Sequence, residues 1–223
     1  VLEGSASTDD VIYNGFVAGD TAYGLGQSGL SVWSLRAPVE QIGHVDFPNA
    51  FATDATYVQG RQAWALTSSD QLATFDIARP KATRLASVVD LPGGRDARDA
   101  ASVDGRLVLL ENVYGLATAR DEDLQPLGRF DADLPKTKAD RDFEDMYVAG
   151  RRAYLAAWGY GLIAVDLGNP LYPRELGRTP AQFPSVITGQ GRYVFLGQAT
   201  NGGSVTTVDV ADPAHPQPLV LLT

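Results

Sequence analysis

Short apolar segments of about four to seven residues fill this chain, and each ends at glycine, proline, aspartate or asparagine. Residues 150–177, with the sequence GRRAYLAAWGYGLIAVDLGNPLYPRELG, show the pattern well, because AYLAAW, LIAVDL and RELGR alternate with turn residues. Segments of this length that are rich in valine, leucine and aromatic residues are typical of β-strands. The pattern of hydrophobic and polar positions therefore predicts an all-β fold.

The strand pattern recurs as a unit along the chain. Segments similar to residues 146–157, MYVAGRRAYLAA, occur five times, and successive copies are 41, 45, 45 and 41 residues apart. Each copy is centred on an anchor glycine: Gly19, Gly60, Gly105, Gly150 and Gly191. Self-similarity at a regular period is the signature of a repeat architecture. Since each unit contains four predicted strands and five units cover nearly the whole chain, we predict a single domain over residues 1–223.

The four strands of a unit differ in polarity. The two middle strands are apolar at nearly every position, whereas the fourth carries charges, as in EQIGHVD and RELGRT. A strand covered on both faces loses its polar alternation, and a strand at an exposed edge needs charge to discourage pairing with other chains. Radially arranged sheets of this kind are the blades of a β-propeller. The sequence predicts a five-bladed β-propeller of four-stranded antiparallel blades, in preference to a β-solenoid or a β-sandwich.

Turn and core positions follow from the same repeat. The anchor glycine lies between the first two strands of a unit, where a tight hairpin needs a positive φ. Prolines then end the third strand, because proline has no backbone N–H to donate. We expect four large aromatic residues to pack between neighbouring blades: Trp64, Tyr154, Trp158 and Tyr193.

The best-preserved unit resembles the repeat of the LVIVD family of proteins. That repeat has a V-x-G-x-Y-A-Y core, a G-L-x-[IV]-V-D strand, a turn with two prolines and a last strand that contains a leucine and a glycine. Residues 147–177 match it through Gly150, Tyr154, Gly161, Leu162, Val165, Asp166, Pro170, Pro173, Leu176 and Gly177, and residues 204–222 match it through Val208, Asp209, Pro213 and Pro216. The resemblance implies a β-propeller of an exported or cell-surface protein, and it implies no catalytic residue.

The charge of the chain narrows the range of partners. Asp and Glu number 27 against 18 Lys and Arg, and the net charge of −9 repels phosphate backbones and anionic lipids, so we expect no nucleic-acid partner. No uncharged stretch of the chain, residues 153–165 among them, is long enough to span a bilayer, and we expect no membrane insertion. The absence of cysteine excludes disulfides and thiolate metal sites.

Two other sequence features do not indicate catalysis. Residues 24–29, GLGQSG, match the dinucleotide-binding pattern, but a strand rather than a helix is predicted to follow, so we interpret the segment as a hairpin turn and predict no cofactor. The histidines, His44 and His215, fall in different units, where we expect both to face solvent. The positions of the two histidines therefore do not favour a Ser-His-Asp triad or a metal site with several histidine ligands.

Three carboxylates form the main candidate site. Asp54, Asp99 and Glu144 each lie six residues before an anchor glycine, next to the innermost strand of three successive units. We expect them to converge near one mouth of the axial channel, where they would bind a cation or divide acid and base roles as in glycosidases. The alternative is that each carboxylate accepts backbone N–H groups at the turn into its own blade. Whether a metal binds stays open.

The sequence favours a non-catalytic binding or scaffolding propeller over an enzyme. We expect such a module to belong to an exported or cell-surface assembly and to bind a protein partner, with a cation or a carbohydrate as further candidate ligands. Tyr114 and Tyr160, at predicted hairpin tips, are candidates for stacking on a sugar or on a partner. A five-bladed carbohydrate-active hydrolase and a lectin-like sugar binder stay open as alternatives, because a fold alone does not confer function.

Overall fold

The computed structural model describes residues 10–47, 52–67, 70–91, 96–121, 124–134, 142–198 and 203–222, and for residues 52–59 it describes the backbone alone. The chain divides into two compact units, Val1–Gly94 and Arg95–Thr223. The first unit contains β1 (Ile12–Ala18), β2 (Thr21–Gly26), β3 (Gly29–Ser34), β4 (Glu40–Asp46), β5 (Ala52–Gln59), β6 (Gln62–Thr67), β7 (Gln71–Asp76) and β8 (Arg84–Asp90).

The second unit contains β9 (Ala97–Ser102), β10 (Arg106–Glu111), β11 (Gly115–Arg120), β12 (Pro126–Asp131), β13 (Phe143–Ala149), β14 (Arg152–Ala157), β15 (Gly161–Asp166), β16 (Arg174–Thr179), β17 (Val186–Gln190), β18 (Tyr193–Gln198), β19 (Ser204–Asp209) and β20 (Gln217–Leu222). These strands and those of the first unit form five four-stranded sheets, which we call blades 1 to 5 in chain order. Blades 1 and 2 belong to the first unit, and blades 3 to 5 belong to the second.

Every blade is an antiparallel meander in which strands that are consecutive in sequence pair with each other. We call the first strand of a blade its inner strand and the fourth its outer strand. Within the described ranges, helical structure is confined to one short 3₁₀ turn at Pro80–Ala82. The predicted all-β class and the predicted five four-stranded antiparallel sheets are therefore confirmed.

The anchor glycines occupy the hairpin turns between the first two strands, but not always at the same turn position. In blade 4, Gly150 has a φ of 59° and is the first residue of the turn that joins the pair Ala149 and Arg152. In blade 3 the turn is Asp104-Gly105, and both residues have positive φ, 52° and 72°. Two positive φ values are what a type I′ hairpin turn requires, and Asp-Gly is a preferred sequence for it. The glycine of blade 3 therefore comes one residue later than the glycine of blade 4.

Alternate residues of the middle strands pack on opposite sides of a blade. In blade 4, Leu155 and Ile163 join a buried cluster with blade 3, while Tyr154 and Leu162 join a second cluster with blade 5. Successive side chains of a strand point to opposite faces, so an unbroken apolar run covers both faces of the sheet. In the first unit, blades 1 and 2 share a cluster of the same kind, which includes Phe75 at 1% exposure.

The predicted inter-blade aromatic residues are mostly where the sequence places them. Trp64 and Tyr154 are buried, and Trp158 is half-buried with its ring 5.1 Å from the ring of Phe183, centroid to centroid. The prediction for Tyr193 is wrong, because this side chain is 38% exposed. Tyr193 begins strand β18, in which Val194 packs against blade 4, so Tyr193 belongs to the opposite face of blade 5.

The aspartate that ends the third strand of the repeat has a local structural role. In blade 4, Asp166 Oδ1 accepts the N–H of Gly168 at 2.9 Å, and the other carboxylate oxygen pairs with Arg174. The backbone hydrogen bond to Gly168 is the main cause that lowers the pKa of Asp166. Asp76 and Asp209 make the equivalent bonds, to the N–H groups of Ala78 and Ala211. The V-D of the repeat thus closes an Asx turn at the strand end.

The outer strand of each blade contains a β-bulge. The extra residue is Ile42, Ala86, Leu127, Leu176 or Leu219, and in three blades it directly precedes a glycine: Gly43, Gly128 and Gly177. In blade 3 a Cβ atom at Gly128 would overlap the carbonyl oxygens of Pro170 and Leu171, which belong to the proline turn of blade 4. Glycine is therefore required at Gly128, because the turn of the following blade rests on it.

Candidate functional site

Asp99 and Asp145 meet between the inner strands of blades 3 and 4, where Asp145 is close enough to raise the pKa of Asp99. Each of the four carboxyl oxygens also accepts a backbone N–H. Asp99 accepts from Ala100 at 2.7 Å and from Met146 at 3.1 Å. Asp145 accepts from Met146 at 2.8 Å and from Ile187, on the inner strand of blade 5, at 2.8 Å. The two side chains therefore connect the inner strands of three successive blades.

The register separates Glu144 from Asp99. Asp99 pairs with Leu110 and follows a bulge residue, Arg98, whereas in blade 4 the bulge residue is Glu144 and the paired residue is Asp145. Counting six residues back from the anchor glycine reaches different positions in the two blades, because the glycine of the blade 3 turn comes one residue later. Glu144 is half-buried beside the pair. Asp145 was not among the predicted site residues, although the Asp-Gly turn of blade 3 signals the offset.

Asp54 belongs to β5, and its side chain lies outside the described part of the structure. The structure thus brings Asp99 together with Asp145 and leaves the predicted convergence of Asp54, Asp99 and Glu144 as a prediction. The backbone contacts of Asp99 match the alternative expectation, in which the carboxylates accept N–H groups. They extend it, since the accepted N–H groups come from the following blade as well as from the carboxylate's own blade.

Burial and the neighbouring carboxylate act in the same direction on Asp99. Desolvation is the largest cause and Asp145 the next, and together they raise the pKa of Asp99 well above the ordinary aspartate value of 3.8, against the opposing effect of its two backbone hydrogen bonds. As a residue Asp99 keeps partial solvent exposure, but its carboxyl oxygens are all engaged by protein groups. Asp99 therefore keeps its proton to higher pH than an exposed aspartate does.

We expect the stability of the protein to depend on this proton. A carboxyl group whose pKa is raised on folding stabilises the folded state fully below its unfolded pKa, and this contribution is lost as the pH rises through the folded pKa. The free energy of unfolding of the native protein should therefore fall relative to that of Asp99→Asn as the pH rises from about 4. Urea unfolding of both proteins across the pH range measures the difference.

The comparison with the variant is needed because other aspartates act in the opposite direction. The pKa values of Asp76, Asp166 and Asp209 are lowered by hydrogen bonds, so the stability they contribute is lost as the pH falls. These residues are unchanged in Asp99→Asn, and their effect cancels in the difference. If the free energies of unfolding of the two proteins differed by the same amount from acid to neutral pH, the pKa of Asp99 would not be raised in the folded protein.

The predicted stacking residues differ in exposure. Tyr114 is 43% exposed, and the guanidinium of Arg129 lies 6.0 Å from its ring centroid. Arg129 also forms an ion pair with Glu111, which is only 3% exposed and which was not among the predicted site residues. Tyr160 is half-buried and packs against the cluster between blades 3 and 4. Of the two tyrosines, Tyr114 is thus the better placed to contact a ligand.

The histidines do not form a catalytic triad. His44 is exposed, as expected, and its ring lies between two hydroxyl groups, with Nε2 3.3 Å from Ser28 Oγ and Nδ1 3.0 Å from Ser31 Oγ. Ser28 Oγ donates to Asp10 at 2.8 Å, and Nδ1 faces a serine where a triad needs a carboxylate. His215 is 77% exposed at its side chain, as expected.

Other kinds of site are absent from the described residues. No group of three or more histidine, cysteine, aspartate or glutamate side chains within the described ranges has a geometry that could hold a metal ion. In the same part of the chain, no helix has the length and hydrophobicity needed to cross a membrane.

Comparisons with known proteins identify the fold but not a family. No protein-family model matches the chain, and no curated protein sequence matches it. The resemblance to LVIVD repeats therefore stays a prediction. Solved structures do match, among them a functionally unknown protein from Desulfotomaculum acetoxidans DSM 771, with a TM-score of 0.76 and 12% identity over 97% of this chain and 71% of that one.

Two further matches are longer than this chain. BamB from Moraxella catarrhalis has a TM-score of 0.67 and 15% identity over 98% of this chain and 63% of its own. The computationally designed Ika8 protein has a TM-score of 0.65 and 10% identity over 89% of this chain and 58% of its own, so this chain spans about three fifths of the length of these two proteins. At such identities the likeness shows the fold alone. The chain has the all-β fold of a β-propeller, with five four-stranded antiparallel blades.

Proposed function

We propose that this chain is a non-catalytic binding or scaffolding β-propeller. The observation that carries the proposal is the use of the acidic residues at the inner strands. All four carboxyl oxygens of Asp99 and Asp145 accept backbone N–H groups, and two of these bonds cross from one blade to the next. Carboxylates engaged in this way position the blades and are not available to a substrate.

The geometry of the pair also argues against glycoside hydrolysis. Retaining and inverting glycosidases hold their two carboxyl groups about 5 to 9.5 Å apart, so that a sugar carbon or a water molecule fits between them. Asp99 and Asp145 both reach the N–H of Met146, at 3.1 and 2.8 Å, so this N–H group rather than a sugar carbon or a water molecule lies between them. A hydrolase that uses Asp54, Asp99 and Glu144 would therefore require Asp99 to leave its contact with Asp145.

Hydrolysis assays with carboxylate variants test this proposal. We expect the native protein to release no sugar from a panel of polysaccharides and aryl glycosides. We expect the combined variant Asp54→Asn, Asp99→Asn, Glu144→Gln to behave identically in the assay and to differ in its melting temperature. Turnover by the native protein that disappears in a variant with an intact fold would overturn the proposal and establish the hydrolase.

The ligand-binding part of the proposal concerns the exposed tyrosine. Tyr114, with Arg129 beside its ring, offers an aromatic face of the kind that stacks on sugars and on partner side chains, and Tyr160 supplies less free surface. A cation at the predicted site of Asp54, Asp99 and Glu144 is a second candidate ligand, and Asp54 and Glu144 would have to supply its ligands because the oxygens of Asp99 already accept backbone N–H groups. We further propose an extracytoplasmic location within a surface assembly, as the LVIVD resemblance implies. Fractionation of the source cells checks the location.

A further inference from the structure

A groove of about 710 Å³ lies between blade 1 and the proline turn of blade 2. Blade 1 contributes the ends of its middle strands and the start of its outer strand, and blade 2 contributes residues 78–81. Both blades belong to the first compact unit, so the groove is formed within one unit. Its volume falls in the range of about 300 to 1,000 Å³ that is typical of ligand-binding pockets.

The groove is open because the proline turn of blade 2 lies farther from the preceding blade than the corresponding turns do. A Cβ atom at Gly128 or Gly177 would overlap a carbonyl oxygen in the turn of the following blade. At the equivalent Gly43, a Cβ atom would lie 3.8 Å from Pro80 O, which is an ordinary contact distance. The turn of blade 2 therefore leaves space beside the outer strand of blade 1 that the turns of blades 4 and 5 fill.

The proline turn of blade 2 is basic, whereas the turns of blades 4 and 5 are not. In those two blades the residue before the proline is Asn169 or Asp212, and its side chain accepts the N–H two residues later at 3.1 Å. Blade 2 has Arg79 at this position, and its side chain makes no such capping bond. The residue after the proline is Lys81, where the other two turns have an apolar residue. The turn therefore does not require either basic side chain for its own conformation.

The charged groups of the groove are not balanced. Arg36 and Asp20 neutralise each other in an ion pair of 2.9 Å. The remaining charged residues of the groove, Arg79, Lys81 and Glu40, have no ion-pair partner within the described ranges. Two positive charges and one negative charge give this part of the groove a net charge of +1, in a protein whose net charge is −9. Such a groove attracts an anionic group.

We propose that the groove between blades 1 and 2 binds a ligand through a carboxylate group, which Arg79 and Lys81 hold. An arginine side chain can donate two parallel N–H groups to a carboxylate, and the lysine adds a second positive charge. One carboxylate neutralises the net charge of +1. A phosphate monoester, with a charge of about −1.5 to −2, would leave excess negative charge beside Glu40.

The carboxylate can belong to an acidic side chain of a partner protein or to a small organic acid. Ala18, Ile42 and Pro80 add apolar surface to the groove, which the carbon atoms of either ligand can contact. The proposal rests on the proposed binding function and names the chemistry of one ligand site.

NMR titration of the isotope-labelled native protein at low ionic strength tests the proposal. The probes are tetraglutamate and tetraglutamine, both with blocked ends, and glutarate. We expect tetraglutamate to shift the amide signals of Arg79 and Lys81 until they saturate, and tetraglutamine to leave them unchanged. Added salt should weaken the binding, because it screens the charges. A Kd for glutarate equal to that for tetraglutamate assigns the site to small organic acids, and a larger Kd assigns it to a partner protein.

Substitutions in the groove should change the Kd for tetraglutamate in both directions. Arg79→Gln and Lys81→Gln should each raise it about fivefold, because each removes one attractive charge. Glu40→Gln should lower it, because this variant removes the like charge beside the carboxylate. Arg61→Gln is the matched control, since Arg61 is exposed in the same blade as the proline turn, loses the same charge and does not line the groove. We expect the control to bind as the native protein does.

Three outcomes would overturn the proposal. The first is that neither tetraglutamate nor glutarate shifts the signals of Arg79 and Lys81. The second is that tetraglutamine shifts them as much as tetraglutamate does. The third is an equal rise in Kd for Arg61→Gln and Lys81→Gln, which would show that only the overall charge matters. The hydrolysis assays test the non-catalytic function separately, so a negative titration would leave that function unaffected.

Discussion

Replacing Asp145 by alanine is expected to lower the free energy of unfolding by about 2 to 3 kcal/mol, because the N–H of Ile187 loses its acceptor between packed blades and the N–H of Met146 keeps only Asp99. Urea unfolding at mildly acidic pH is the appropriate measurement. Because the pKa of Asp99 is raised, its repulsion with Asp145 is smaller at mildly acidic pH than at neutral pH, and relief of that repulsion then offsets less of the loss. The result would identify this carboxylate as a connection between blades.

The control for this substitution is Asp46→Ala. The side chain of Asp46 is 95% exposed and approaches His44 only at 3.5 Å, so its removal should change the free energy of unfolding by less than about 0.5 kcal/mol. If the two variants lost the same amount of stability, the backbone hydrogen bonds of Asp145 would not stabilise the fold. Asp99 and Asp145 would then again be candidates for ligand binding.

Gly177→Ala is expected to cost about 1 to 3 kcal/mol, because the added methyl group overlaps the carbonyl oxygen of Ala214 and must push the proline turn of blade 5 away from blade 4. The three atoms nearest to the methyl group belong to the backbone of Pro213 and Ala214, and backbone atoms cannot move aside as a flexible side chain would. The measurement is again the free energy of unfolding in urea, and the melting temperature should fall in parallel.

Gly43→Ala is the matched control in blade 1, because Gly43 holds the same position after the outer-strand bulge. A Cβ atom at Gly43 would lie 3.7 Å from Val32 Cβ and 3.8 Å from Pro80 O, which are ordinary contact distances. We expect this variant to be as stable as the native protein or slightly more stable. Equal losses at the two glycines would mean that glycine is needed for the bulge itself rather than for the contact between blades.

The architecture of the blades was predictable because its signals are local. Strand length, the alternation of side chains and the turn glycines depend on residues that are close in sequence, and the same signals recur five times. The V-D of the repeat is of this kind, since Asp166 bonds the N–H of a residue two positions later. Such features follow from the sequence without knowledge of what packs where.

The acidic site was only partly predictable. The sequence pattern predicted Asp99 correctly, but it pointed to Glu144 instead of the neighbouring Asp145. The reason is that counting six residues back from each anchor glycine assumes the same turn type in every blade. The Asp-Gly of blade 3 requires a type I′ turn and moves the glycine by one residue. A slip of one residue in a strand exchanges the two faces, so a small error in a local turn changes which side chains meet.

By itself, the sequence determined the five repeats, the four strands of each and the aspartates and glycines of their turns, since hydrogen bonds between near neighbours and the period of side-chain alternation decide these. Only the tertiary structure showed that Asp99 contacts Asp145 and that Tyr193 is exposed rather than part of the core. Contacts of this kind depend on the register and packing of strands that are distant in sequence. Their energies come from desolvation and from hydrogen bonds between blades, which no local pattern records.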